Sequence, residues 1–214
     1  MTETQALIEA VNRADSAEGL LEAVENLAVA RTEAAIPTLV EVLGYNNPGA
    51  AVAAVDGLID LGEPVVPYLL ENLDGYNYGA RAWAIRVFAG IGDPRAFDLL
   101  IEAAVSDFSQ SVRRAAVRGL GIIRWLNLPP QERLLAQEKA LTTLLLASHD
   151  GEWVVRYAAV MGLQSLGSTI AQTRWDLVEQ ITARLTQIKE TDSEIAVRAR
   201  AQLSWQQLKG RSQA

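Results

Sequence analysis

The chain has 214 residues, half of them hydrophobic, with a formal net charge of -7 and no cysteine. This supplies the apolar material for one continuous stacked core, while the acidic balance excludes the basic surface that a nucleic-acid backbone requires and the missing thiol excludes disulfides, thiolate metal sites and a cysteine nucleophile. The N-terminal stretch Met1 to Glu9 is too polar for a signal peptide, and no apolar run approaches the roughly 20 residues that cross a bilayer, so the expectation is a cytoplasmic protein without membrane insertion.

Hydrophobic spacing predicts helices in pairs along the whole chain. The first pair is expected at about 3–30 and 33–43, followed by 49–61 with 64–73, then 79–91 with 94–105. Gly62-Glu-Pro and Gly92-Asp-Pro carry the signals of a helix end followed at once by a helix start: Gly ends one helix, an acidic residue caps the next and Pro enters its first turn. Longer helices are expected at about 110–126 and 130–147 across Asn127-Leu-Pro-Pro130, then at 152–166 with 172–189, and a last one at 193–208. Residues 1–208 read as a single repeat domain, with 209–214 a fraying tail, because no Gly-, Ser- or Pro-rich linker divides the chain.

A second periodicity overlies the first. Asp107 to Arg113, Asp150 to Arg156 and Asp192 to Arg198 each place Arg six residues after Asp, and Asp74 to Arg81 is the same with one residue more. The interval is 30 to 32 residues between Ala30, Gly62 and Gly92, then about 42 between the three later arginines, within the range of stacked helix pairs. Extra helical turns, rather than a new domain, account for the longer interval.

In such an array the loops before the first helix of every repeat line one rim. On it fall Tyr76, Asn77, Tyr78, Phe108 and Trp153, with the repeated Arg one turn inward. Aromatic faces beside guanidinium forks suit a flat, conjugated, anionic ligand. Two readings of the repeated pairs stand side by side: the Asp caps its helix and the Arg ties neighbouring repeats together, or the Arg faces a ligand. His149, the only histidine, lies in a polar loop, and a single histidine does not make a histidine-based metal centre. Trp125, Trp175 and Trp205 read as core packing or as a protein interface.

The segments Tyr78-Gly-Ala-Arg-Ala-Trp-Ala-Ile-Arg-Val-Phe-Ala-Gly-Ile-Gly-Asp-Pro-Arg-Ala-Phe-Asp-Leu-Leu100 and Val112-Arg-Arg-Ala-Ala-Val-Arg-Gly-Leu-Gly-Ile-Ile123 resemble the HEAT-like repeat of phycobilisome lyases. With Tyr76-Asn-Tyr-Gly-Ala-Arg81, the length and the near-complete coverage by repeats, the resemblance is to the shorter, F-type subunits of the E/F-type phycocyanobilin lyases of cyanobacteria. It implies an all-α, HEAT-like or armadillo-like α-solenoid of about five repeats. It also implies a lyase subunit, active as a heterodimer with a longer E-type subunit, that joins phycocyanobilin through a thioether to a cysteine of the apo-phycocyanin alpha subunit. Phycocyanobilin is then substrate, and no cofactor or metal is expected. The implied site has Tyr76 and Tyr78 as proton donors, with Asn77, Arg81, Trp83, Phe108, Trp153 and Arg156 around the bilin; packing beside Ala84 and Phe88 is the other role open to Trp83. In the isomerising lyases of the family a His-Cys pair occupies the position of Asn77-Tyr78, so the resemblance implies attachment without isomerisation. The competing reading is a non-catalytic adaptor whose repeat face holds another protein.

Overall fold

The computed structural model describes residues 2–73 and 77–211, and among them every regular element is helical. The chain forms two compact units, Met1–Ala96 and Phe97–Ala214.

The first unit holds α1 (Glu3–Arg13), α2 (Ala17–Val29), α3 (Ile36–Val42), α4 (Pro48–Leu61), α5 (Val65–Glu71) and α6 (Tyr78–Ile91). The single helix expected over 3–30 is two helices. Ser16 breaks it, because its side-chain oxygen accepts from the Gly19 amide at 3.1 Å and so restarts the chain as a capped helix. Helix α4 packs between α2 and α6 in one row, while α3 packs on α4 and α5. Val24, Leu27, Leu39, Leu58, Ile85 and Phe88 are fully buried between them.

Gly62 and Gly92 close α4 and α6 at φ of 75° and 70°. A Cβ on Gly62 would meet no atom within 4 Å, so the backbone conformation, not space, is what selects glycine there. The acidic residue after Gly92 acts on the following turn as expected. Asp93 is buried, takes the Arg95 amide at 2.8 Å and pairs with the Arg95 guanidinium, whose Nη2 also donates to the Glu63 carbonyl 32 residues away.

The second unit holds α7 (Phe97–Ser106), α8 (Gln110–Leu120), α9 (Pro130–Ala147), α10 (Trp153–Ile170), α11 (Trp175–Thr191) and α12 (Ile195–Arg211). Helix α10 packs between α8 and α12 in one row, and α9 packs on α7, α10 and α11. Helices α9 to α12 run 17 or 18 residues against 14 for α4 and α6, so added turns do carry the longer interval.

Helix α8 stops at Leu120, six residues short of its expected end at 126. A Cβ on Gly121 would fall 2.6 Å from the Gly162 Cα and 2.7 Å from its carbonyl oxygen, so the backbones of α8 and α10 nearly touch there. The chain then turns Trp125 inward, 3% exposed and edge-on to Phe97 at 5.9 Å, through a short 3-10 turn. Trp125 is therefore core. Trp175, at 62% exposed, and the half-buried Trp205 are not.

Candidate functional site

In the first unit the implied site gathers on the first two turns of α6. Asn77 is its cap: the side-chain oxygen accepts from the Ala80 amide at 3.0 Å. Tyr78 opens the helix and Arg81 follows one turn later, both half-buried. Trp83 is also half-buried, with the Arg86 guanidinium 4.1 Å from its ring centroid, a cation–π stack that holds the indole plane. Tyr76, the other expected proton donor, and Asp74 lie outside the described residues. Asn77 also neighbours the preceding loop, since a Cβ on Gly44 would sit 3.3 Å from its amide nitrogen. Asn47 repeats the pattern: it caps α4 through Ala50 and donates its amide to the Ala17 carbonyl at 2.9 Å.

In the second unit the Asp-to-Arg spacing becomes a ladder. Arg113 Nη1 donates to the carbonyls of Asp107 and Phe108 in its own loop, while Nε and Nη2 grip the Asp150 carboxylate of the next loop at 2.8 and 3.1 Å. Arg156 repeats this one repeat on. Nη1 takes the Asp150 and Gly151 carbonyls, and Nε and Nη2 take Asp192 at 2.9 Å each, with Ser193 as a further acceptor. All five of its N–H donors are engaged within the chain. Of the two readings of Arg156, the tie between repeats is the arrangement seen, and the same holds for Arg113.

The repeated Asp is not a helix cap. Each sits three residues ahead of its helix and turns its loop by accepting from the amide two residues on, Asp107 from Ser109, Asp150 from Glu152 and Asp192 from Glu194. Burial alone would raise the Asp150 and Asp192 carboxyls, but the arginine forks and these loop amides outweigh it and hold both below the usual carboxylate range.

Phe108 stands in the loop ahead of α8 and Trp153 opens α10 one repeat on, 79% and 45% exposed. Setting the helices in register on Arg113, Arg156 and Arg198 shows a face that the rim pattern alone missed. Arg114 and Arg118 are exposed on α8, and Tyr157 and Met161 are half-exposed at the matching positions of the neighbouring α10. The signal was in the sequence: these residues lie one and five positions after the repeated Arg, so they share one side of their helices. The side pairs two guanidinium groups with apolar and aromatic surface. His149 is exposed in its turn, and among the described residues no three His, Asp or Glu side chains gather in a metal-binding group. No described helix is long and apolar enough to cross a membrane.

A family model for HEAT repeats matches residues 66–164. The chain is 54% identical over 208 residues to a phycocyanobilin lyase subunit beta of Pseudanabaena tenuis, covering 97% of this chain and 74% of that one. It is 52% identical to the phycocyanin alpha phycocyanobilin lyase CpcF of Synechocystis over 88% of each. Among solved structures, the complex of CpcE and CpcF of phycocyanin lyase from Nostoc matches at a TM-score of 0.72 and 51% identity, over 81% of this chain and 99% of that chain. With its helical repeats and an identity above one half along nearly its whole length, the chain belongs to the family of phycocyanobilin lyase beta subunits, the CpcF family.

Proposed function

We propose that the chain is the F-type half of a heterodimeric phycocyanobilin lyase, which works with an E-type subunit to attach phycocyanobilin to a cysteine of the phycocyanin alpha subunit without isomerising the bilin. The observation that carries this is the match, over 81% of this chain, to a subunit solved in the complex of CpcE and CpcF. The chain itself brings no thiol. The acceptor cysteine therefore supplies sulfur, which bonds to the ethylidene carbon of ring A while a proton is delivered to the ring; nothing leaves. The lyase's share is to fix the bilin, keep other nucleophiles out and supply that proton.

On α6, Arg81 is suited to a bilin propionate and Tyr78 to the proton transfer, with Asn77 holding the helix start on which both depend. Trp83 offers an apolar plane. Tyr76 keeps its expected role as the alternative donor. Phe108 and Trp153 are exposed aromatic surface for bilin or acceptor, and Arg156 serves them indirectly by holding the Trp153 loop. Neither Asn nor Tyr at positions 77 and 78 is suited to move a double bond near neutral pH, since Asn does not titrate and Tyr titrates near 10.

The test is to co-express both subunits with the apo-alpha subunit and a source of phycocyanobilin, then to record the spectrum of the acid-urea-denatured product. A covalent phycocyanobilin spectrum is expected. A rearranged, phycoviolobilin-type spectrum overturns the non-isomerising part, and a soluble complex without covalent colour returns the protein to the adaptor reading.

A further inference from the structure

The three helices of one row in the second unit, α8, α10 and α12, carry no aspartate and no glutamate, in a chain whose net charge is -7. The acids of this unit's helices stand in the other row, Asp98 and Glu102 on α7, Glu138 on α9 and Asp176 on α11 among them. Arginines remain in the acid-free row. Arg113, Arg156 and Arg198 are spent on loop carbonyls. Arg114 and Arg118 are not: both are exposed, and among the described residues neither meets a carboxylate or another hydrogen-bond acceptor.

Spacing joins these two to their neighbours in one surface. Arg114 and Arg118 are four residues apart, so they stand one turn apart on one side of α8, with about 5–6 Å between their Cβ atoms. One and five residues after the repeated arginine, the same side of α10 shows the half-exposed Tyr157 and Met161, and that of α12 shows the exposed Ala199 and Leu203. Helix α10 packs between α8 and α12, so the surface runs from two guanidinium groups over an aromatic ring and a thioether to aliphatic carbon. Like charges one turn apart on a helix repel each other. With no acid on the three helices to offset that repulsion, a ligand with two negative charges relieves it.

We propose that this face of α8, α10 and α12 is a bilin-binding surface, with Arg114 and Arg118 taking the propionate carboxylates and Tyr157, Met161 and Leu203 lying along the conjugated rings. It rests on the lyase reading above and names residues beyond the loops and α6 used there. The occupant follows from chemistry. Phycocyanobilin is a flat, conjugated dianion whose two propionates hang from adjoining rings, and two guanidinium forks one helical turn apart match that pattern of charge. The aromatic ring and polarisable sulfur beside them suit pyrrole faces. A carboxylate-rich protein segment satisfies the arginines but leaves the Tyr157, Met161 and Leu203 strip in water.

The test titrates phycocyanobilin into the purified pair of subunits and reads the dissociation constant from the change in bilin absorbance. The Arg114→Ala, Arg118→Ala double variant is expected to bind about 10- to 100-fold more weakly, and the double lysine variant to recover part of that loss, since the charge stays and the fork goes. The dimethyl ester of the bilin has no carboxylate to pair, so the wild-type pair and the double alanine variant should bind it within about threefold of each other. Met161→Ala, by contrast, should weaken acid and ester alike, by about 3- to 10-fold. Both arginines are exposed, so circular dichroism and co-purification with the E-type subunit are expected to match the wild type. Wild-type bilin affinity, within about twofold, in the folded double alanine variant overturns this surface and leaves the lyase reading standing. An equal loss for the acid and its ester overturns the propionate contact. A double variant that keeps its bilin affinity but no longer holds the apo-alpha subunit gives the face to the acceptor protein instead, and a wild-type pair that binds no phycocyanobilin overturns both readings. Arg81 on α6 is read by its own variant and does not bear on this face.

Discussion

The two units solve one problem with different chemistry. Each must hold the loops ahead of successive helices in register, and the first does it with neutral asparagines: Asn47 caps α4 and reaches the Ala17 carbonyl, and Asn77 caps α6 beside Gly44. The second uses ion pairs, with Arg113 and Arg156 spanning 36 or 37 residues to aspartates that are themselves loop-forming. An asparagine rung is mostly local and worth what a cap is worth, whereas an arginine rung joins repeats and leaves a buried charge behind when cut. An arginine one turn into a repeat helix is therefore no ligand group by position alone; its partners decide.

The sharpest way to break the contrast is Arg156→Ala. The Arg156 and Asp192 side chains are only 13% and 7% exposed, so removing one partner should cost about 3 kcal/mol, readable in urea unfolding, against about 1 kcal/mol for Asn47→Ala in the first unit. Equal losses would mean that the two kinds of rung hold the repeats equally. Arg81→Ala probes the proposed ligand role in the first unit. Bilin binding should weaken by roughly 1.5–3 kcal/mol with helicity kept, and wild-type bilin affinity in the folded variant sinks that role.

Two glycines at helix contacts differ in what an added methyl would meet. Gly121→Ala would drive a methyl into the Gly162 backbone and should cost about 1–3 kcal/mol, whereas in Gly90→Ala the methyl meets only the Ile59 side chain, its Cγ1 at 2.6 Å as well as its tip, so a side chain rather than a backbone must shift and the loss should be smaller. A thermal melt of each variant decides.

Acid supplies the gentlest probe. The arginine forks hold the Asp150 and Asp192 carboxyls below the usual carboxylate range in the folded chain, so their contribution is fully present above the unfolded carboxylate value and is lost as pH falls through the lower folded ones. Stability should drop on that acid side, and the slope should flatten in the Asp150→Asn, Asp192→Asn double variant. An unchanged slope would mean that other carboxylates govern acid unfolding.

What was readable in the sequence were features whose cause is local. Gly62 and Gly92 announce helix ends because a left-handed residue needs no partner to be recognised, and the Asp-to-Arg spacing marked the later repeats. The break at Ser16 was passed over because the apolar pattern runs through it. The early end of α8 was hidden because its causes, the Gly162 backbone and the Phe97 ring, are distant in sequence. The same applies to the site. Asn77 reads in the sequence as a rim-loop residue beside the bilin, and its role as the cap of α6 comes only with the Ala80 contact, while Arg114, Arg118, Tyr157 and Met161 emerge once the ladder fixes the register of their helices.

One consequence of the ladder concerns how such loops change over evolutionary time. Arg113, Arg156 and Arg198 grip main-chain carbonyls, those of Asp107 and Phe108, Asp150 and Gly151, Asp192 and Ser193, and ask nothing of the side chains between. The backbone path is thereby templated from outside the loop. Phe108, Gly151 and Ser193 show the outcome: an aromatic, no side chain and a hydroxyl at one equivalent position of a common scaffold. Such positions are free to drift toward new specificities without re-solving the fold, and they are where variation among related chains, or a designed library, should be tolerated best.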